Sequence, residues 1–210
     1  ACLEDAQLAE LNAAAKELVY LEIEKFEHSK AIAVLNKLKY DQKEVELIYL
    51  KALCNKELGN YKEAINLFEE TINLDIDYLN SYLGLAIIYD EEYNDKLIAE
   101  NYLKKAYNIA PNDAYVNKVF GTFWFKYEDL KAINYYRSAL ELDASFENYI
   151  HLTQVLIFFN LLEQATEINN QAIYMFGTNN ELDFFKILIK YKLNDKVNFK
   201  VEIEKYMLIY

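Results

Sequence analysis

A chain of 210 residues, 53% hydrophobic and 27% charged, can bury a sizeable core, which excludes a disordered protein. Its net charge of −12 argues against a nucleic-acid backbone as ligand, because such binding depends on Lys and Arg displacing counterions. Four Gly and one Pro specify few turns, so the chain reads as all-α, helices joined by short connections.

Small residues recur along it: Ala31, Ala64, Ala99, Ala132 and Ala165 are separated by 33, 35, 33 and 33 positions. In chain order, residues 5–40 form a first helical pair around Ala31. Residues 43–73 carry the stripe Ile48, Ala52, Asn55, followed by GNYKEAINLFEETINLD, with Gly59 and Tyr61 in a turn, Ala64 at a close helix crossing and Phe68 in the apolar site between. Residues 78–109 open on YLGLAIIY with Gly84, carry three extra residues in the turn EEYNDKLIA, and continue through Ala99 and Ala106 to Pro111 just beyond. Residues 113–142 repeat the pattern with Gly121, Ala132 and Ala139, one position short between Gly121 and Ala132. Residues 146–176 carry the stripe Tyr149, Leu152, Thr153, Leu156, then Ala165 and Ala172. Residues 181–210 have Asn198 where an Ala is expected; KVNFKVEIE alternates with period two, as a strand would, while Phe199, Ile203, Tyr206 and Tyr210 favour a helix.

Two amphipathic helices per unit of about 34 residues, with small residues at the crossings and Pro after the second helix, resemble the tetratricopeptide repeat. The resemblance covers nearly the whole chain and implies a right-handed solenoid of about six helix-turn-helix units forming one domain over residues 1–210. It also implies a non-enzymatic scaffold that holds a protein or peptide. In such repeats one stripe of each first helix, its sites 2, 5, 9 and 12, lines a concave groove. Counted that way, the groove holds Tyr49 and Leu53, Tyr78 and Leu85, Tyr115, Thr122 and Phe125, and Ile150 and Gln154. Tyr82 and Tyr89 add to the tyrosines of the central units, a residue type that suits recognition by pairing apolar area with a polar tip. The clamp of Lys, Asn and Arg by which some members grip the C-terminal carboxylate of a chaperone is absent: the matching sites hold Tyr49 and Leu53, Tyr82, and Tyr115 with Val119.

A narrower resemblance, carried by PNDAYVNKVFGTFWFKYEDLKA, is to the bacterial pilotins, lipoproteins that assist assembly of type IV pilus secretins. It implies lipidation of Cys2 and an outer membrane facing the periplasm; otherwise the cytoplasm is expected. A third reading is an accessory subunit of an enzyme on another chain. Catalysis is not expected. No phosphate-cradle, metal-protease or nucleophile-elbow motif occurs, His28 and His151 stand far from Cys54, and neither cofactor nor metal is implied. The longest apolar run, VLIFF at 155–159, falls well short of the roughly 20 residues that cross a bilayer. The ending EKYMLIY lacks a polar outer face, so Tyr206, Met207, Ile209 and Tyr210 are expected to be covered, by the fifth unit, by further chain, or by a second copy in self-association through the last helix.

Overall fold

The computed structural model describes residues 2–37 and 44–209. These form twelve α-helices: α1 Cys2–Glu24, α2 His28–Lys37, α3 Val45–Glu57, α4 Tyr61–Leu74, α5 Leu79–Glu91, α6 Lys96–Ile109, α7 Ala114–Lys126, α8 Lys131–Leu142, α9 Phe146–Phe158, α10 Leu162–Phe176, α11 Asn180–Lys192 and α12 Lys196–Ile209. No strand occurs among them, and the ambiguous KVNFKVEIE segment is helical. The residues fall into two compact units, Ala1–Ile109 and Ala110–Tyr210, where the sequence is read as one domain. In an array whose hairpins meet only their neighbours, compactness is a local property.

Within each unit every helix packs on its neighbours in sequence, and a first helix also touches the next first helix, α3 on α5 and α9 on α11. Ala31, Ala64, Ala99, Ala106, Ala132, Ala139, Ala165 and Ala172 are all fully buried. Two glycines mark closer approaches. A Cβ on Gly84 would lie 2.6 Å from Phe68 Cζ of the preceding hairpin, and one on Gly121 would lie 2.7 Å from Tyr136 Cδ1 in its own hairpin.

All six hairpins turn through one residue with positive φ: Phe26, Gly59, Asn94, Glu128, Asn160 and Asn194. In five of them the next amide donates to the carbonyl five residues back, as Asn60 does to Asn55 and Asp129 to Trp124, a Schellman closure that satisfies carbonyls orphaned at the helix end. Asn tolerates this conformation better than most other side chains, which accounts for three of the five turns that lack Gly. In α5/α6 the closing bond spans six residues, from Asp95 to Tyr89. That turn is therefore one residue longer than its counterparts, not three. Pro111 is exposed past α6, and its carbonyl accepts from the buried Asn117 amide at 2.9 Å.

The last helix also departs from expectation. Among the described side chains its exposed positions are Asn198, Lys200, Val201, Glu204, Lys205 and Met207, and Lys186 pairs with Glu202 at 3.0 Å. Three of those six exposed positions are charged, although EKYMLIY reads as apolar; Tyr210 and the side chains of Leu208 and Ile209 lie outside the described residues.

A candidate protein-binding face on the first helices

Because α3, α5, α7, α9 and α11 begin at Val45, Leu79, Ala114, Phe146 and Asn180, equivalent sites can be counted from their starts. At about 100° per residue, sites 2, 5, 9, 12 and 13 share an arc of about 100°. On α7 these are Tyr115, Lys118, Thr122, Phe125 and Lys126; on α9 Glu147, Ile150, Gln154, Ile157 and Phe158; on α11 Glu181, Phe184, Leu188, Tyr191 and Lys192. On α3 they are Glu46, Tyr49, Leu53, Lys56 and Glu57.

The α5 set needs correction. Taking Gly84 as the eighth site shifts that stripe by two, whereas the helix start puts Ala86 there and Asn80, Leu83, Ile87, Asp90 and Glu91 on the arc. The displaced stripe faces α4 instead. The Ser81 hydroxyl bonds Thr71, and Leu85 and Ile88 are buried in one cluster with Ala64 and Phe68. Tyr82 and Tyr89 likewise turn toward a second helix: their rings lie 6.4 and 5.8 Å from that of Tyr102 on α6, and the Tyr82 hydroxyl donates to Ile76 O at 3.0 Å. With Tyr82 and Leu85 buried, neither presents a free surface.

What remains on the unit-1 arc is a wired polar cluster. Tyr20 Oη donates to Glu46 at 2.6 Å, and Lys16 Nζ lies 3.1 Å from Glu46 and 3.0 Å from Glu44. Those two donors hold the Glu46 carboxyl below its usual range, and the bond to Glu46 with partial burial pushes Tyr20 up to about 12. Half-buried Tyr49 rests between Phe68 and Tyr78, at 6.0 and 5.3 Å, with Leu53 half-buried one turn on. Burial pushes Tyr78 to about 12 as well.

In unit 2 the arc is more open and more aromatic. Tyr115, Phe158, Phe184 and Tyr191 are 50%, 47%, 49% and 65% exposed. Phe125 is half-buried and meets Phe158 edge to face at 5.1 Å; Tyr191 leans on Phe199 at 5.4 Å. Lys118 crosses from α7 to Glu147 on α9 at 3.0 Å, which lowers the Glu147 pKa, and its ammonium sits 4.9 Å from the Tyr115 ring. Thr122 is exposed and bonds both Lys118 O and Tyr136 Oη; Gln154 is exposed, and Ile150 is buried.

Comparison with known proteins bears on this arrangement. Residues 45–77 match the model of the tetratricopeptide repeat. PilF of Pseudomonas aeruginosa superposes with a TM-score of 0.76 at 14% identity, covering 97% of this chain and 94% of its own. PilW, a widely conserved type IV pilus biogenesis factor, gives 0.75 at 14% identity, covering 93% of this chain and 90% of its own. YrrB, a tetratricopeptide protein with an unusual peptide-binding site, gives 0.65 at 16% identity, covering 87% and 91%. The fold is that of tetratricopeptide-repeat proteins. No curated protein matches the sequence.

Set on this fold, the unit-2 first helices supply four residues that the sequence reading passed over: Phe158, Phe184, Tyr191 and Lys192. The first lies at site 13, which a count of sites 2, 5, 9 and 12 omits, and the others lie in the hairpin whose register the missing Ala obscured. Among the described residues no group of three or more His, Cys, Asp or Glu could hold a metal ion, and no helix is long and apolar enough to cross a membrane. Cys54 is buried, and burial pushes its thiol up to about 11. The side chain of Cys2 lies outside the described residues.

Proposed function

We propose that this protein is a non-enzymatic scaffold whose unit-2 first helices bind an extended or helical segment of a partner protein. The carrying observation is the exposure of Tyr115, Phe158, Phe184 and Tyr191 on equivalent arcs of α7, α9 and α11. Large aromatic area left in water, with rigid rings and few rotamers to lose, is the composition of recognition surfaces. The test separates binding from packing. Ala at Phe158 or Tyr191 should leave the melting temperature close to wild type while weakening a captured partner by about 2 kcal/mol or more, the scale of a hot spot. Ala at buried Tyr82 should instead cost stability. Both exposed variants retaining every partner would move the working surface elsewhere.

A second reading is assistance to type IV pilus assembly, supported by the two pilus-factor superpositions over more than nine tenths of the chain. It adds Cys2 as a lipid attachment site and an outer-membrane location. Mass spectrometry of the protein from its native cell tests it; an unacylated Cys2 refutes the lipoprotein part. Association of copies through α12 is the weaker case, given the exposed Lys200, Glu204 and Lys205 among its described side chains.

A further inference from the structure

Three residues beyond Ala64, Ala99, Ala132 and Ala165 the second helices α4, α6, α8 and α10 carry Leu67, Tyr102, Tyr135 and Ile168. What a ring does at this site is clearest in unit 1. The Tyr102 ring lies 6.4 Å from that of Tyr82 and is stacked 5.8 Å from that of Tyr89. Its hydroxyl reaches across to α4, where it donates to Glu69 at 3.4 Å, and the Lys105 ammonium stands 5.2 Å from the ring. A phenol thus occupies the space between successive second helices and meets a polar side chain at its tip.

Unit 2 repeats these surroundings without the ring. Tyr149 and Leu152 are the counterparts of Tyr82 and Leu85, and Arg137 is that of Glu69, but Ile168 stands where Tyr102 does. Between α8 and α10 an open cavity of about 540 Å³ remains, floored by Leu140, Tyr149, Leu152 and Ile168, a volume on the scale of ligand sites. Arg137, the only arginine in the sequence, is half-buried in its wall and donates to Gln164 Oε1 at 3.1 Å. Among the described residues it forms no ion pair, although Glu141 and Glu167 line the same cavity. A guanidinium carries five N–H donors, so one bond to a neutral amide leaves most of them for a ligand.

We propose that the cavity between α8 and α10 binds a tyrosine side chain of a partner protein, its ring placed as Tyr102 is placed in unit 1 and its hydroxyl at Arg137. The repeat supplies the template for the ring, and the charges select the polar tip. One guanidinium beside two carboxylates leaves the cavity net negative, which disfavours an anionic group such as a phosphate. A neutral hydroxyl both accepts and donates, so it satisfies Arg137 and a carboxylate together, which a phenylalanine ring does not. The exposed rim residues Gln164 and Gln171 leave the cavity accessible from solvent. Tyr149 and Leu152 hold sites 4 and 7 of α9, off the arc that carries Phe158, so failure of this site leaves the scaffold reading in place.

The experiment uses the full chain, labelled for NMR at its methyl and arginine side-chain groups, with p-cresol, toluene and p-tolyl phosphate standing for the side chains of tyrosine, phenylalanine and phosphotyrosine. p-Cresol should shift the methyls of Leu140, Leu152 and Ile168 and the Nε–H of Arg137, and bind about fivefold tighter than either other probe, the scale of one hydrogen bond. A neutral pentapeptide with a central tyrosine, capped at both ends, should shift the same groups. Arg137→Met should erase the preference of p-cresol over toluene. Ile168→Tyr, which supplies the ring from the chain itself, should hold the melting temperature at or above wild type and abolish binding of every probe; if that variant fails to fold, Arg137→Met still decides. Equal binding of toluene, tighter binding of p-tolyl phosphate, a preference unmoved by Arg137→Met, or no shift at these four residues overturns the proposal. Binding of p-cresol without the peptide overturns the partner-protein part in favour of a small aromatic ligand.

Discussion

Gly121→Ala asks whether the packing at the α7/α8 crossing is as tight as its geometry indicates. The added methyl would lie 2.7, 2.8 and 2.9 Å from Cδ1, Cε1 and Cγ of Tyr136, so it meets the flank of the ring, not a movable tip. Tyr136 is 2% exposed, its hydroxyl is 3.0 Å from Thr122 Oγ1, and its ring stacks on His151 at 5.4 Å. With three restraints on the ring, overpacking should cost about 1–3 kcal/mol. Replacing a mid-helix Gly by Ala returns about 0.5–1 kcal/mol. The net expectation is a loss of about 1–2 kcal/mol, which lowers the melting temperature of a chain this size by about 2–8 °C. Circular-dichroism melts and urea unfolding measure it, with Gly59→Ala as control: nothing lies within 4 Å of that Cβ, so its cost of about 1 kcal/mol comes only from φ of +75°. On a Tyr136→Leu background, Gly121→Ala should become neutral or stabilising. A stabilising Gly121→Ala in the wild-type chain, or additivity of the two changes within about 0.5 kcal/mol, would refute a ring held in place.

Three other outcomes can be checked alongside. Glu128→Gly should stabilise by about 0.5–1 kcal/mol in urea unfolding, since relief of the left-handed turn at φ of 53° exceeds the entropy that Gly adds to the unfolded chain. Ala132→Leu, at a fully buried crossing, should cost about 1–3 kcal/mol, whereas the same change at exposed Asn94 should reflect only its positive φ; equal shifts would contradict the crossing assignment. Raised Tyr20, Tyr78 and Tyr102 pKa values, each about 12 against an ordinary 10, contribute stability fully present below pH 10 and lost as pH rises through about 12. Unfolding followed against pH, with tyrosinate absorbance as second readout, should show that loss, and Tyr20→Phe should remove part of it.

The sequence by itself determined the fold, because the repeat is written in residues that sterics make irreplaceable. Ala64, Ala99, Ala132 and Ala165 recur where backbones approach, and their full burial follows from a local constraint repeated at a near-constant interval. Turns were legible at Gly59 and in EEYNDKLIA, but the residue that takes the left-handed conformation was legible only at Gly59. At Phe26, Glu128, Asn160 and Asn194 the left-handed residue is enforced by the Schellman bonds and the packing of two helices, and at Asn94 by the longer closure from Asp95 to Tyr89, none of which composition displays. Which face of a first helix meets water belonged to the tertiary structure. Periodicity groups Ser81, Leu85 and Ile88 on one stripe, but α5 is apolar nearly all round, so the period cannot say whether that stripe faces α4 or the groove; contact with Thr71 and Phe68 decides it. Of the aromatics that the sequence places in the groove Tyr115 stays exposed, while the other exposed rings on the first-helix arcs are Phe158, Phe184 and Tyr191 in unit 2. Exposure depends on which neighbouring helix covers a ring, and that neighbour is about thirty residues away in the chain, beyond the reach of any local pattern.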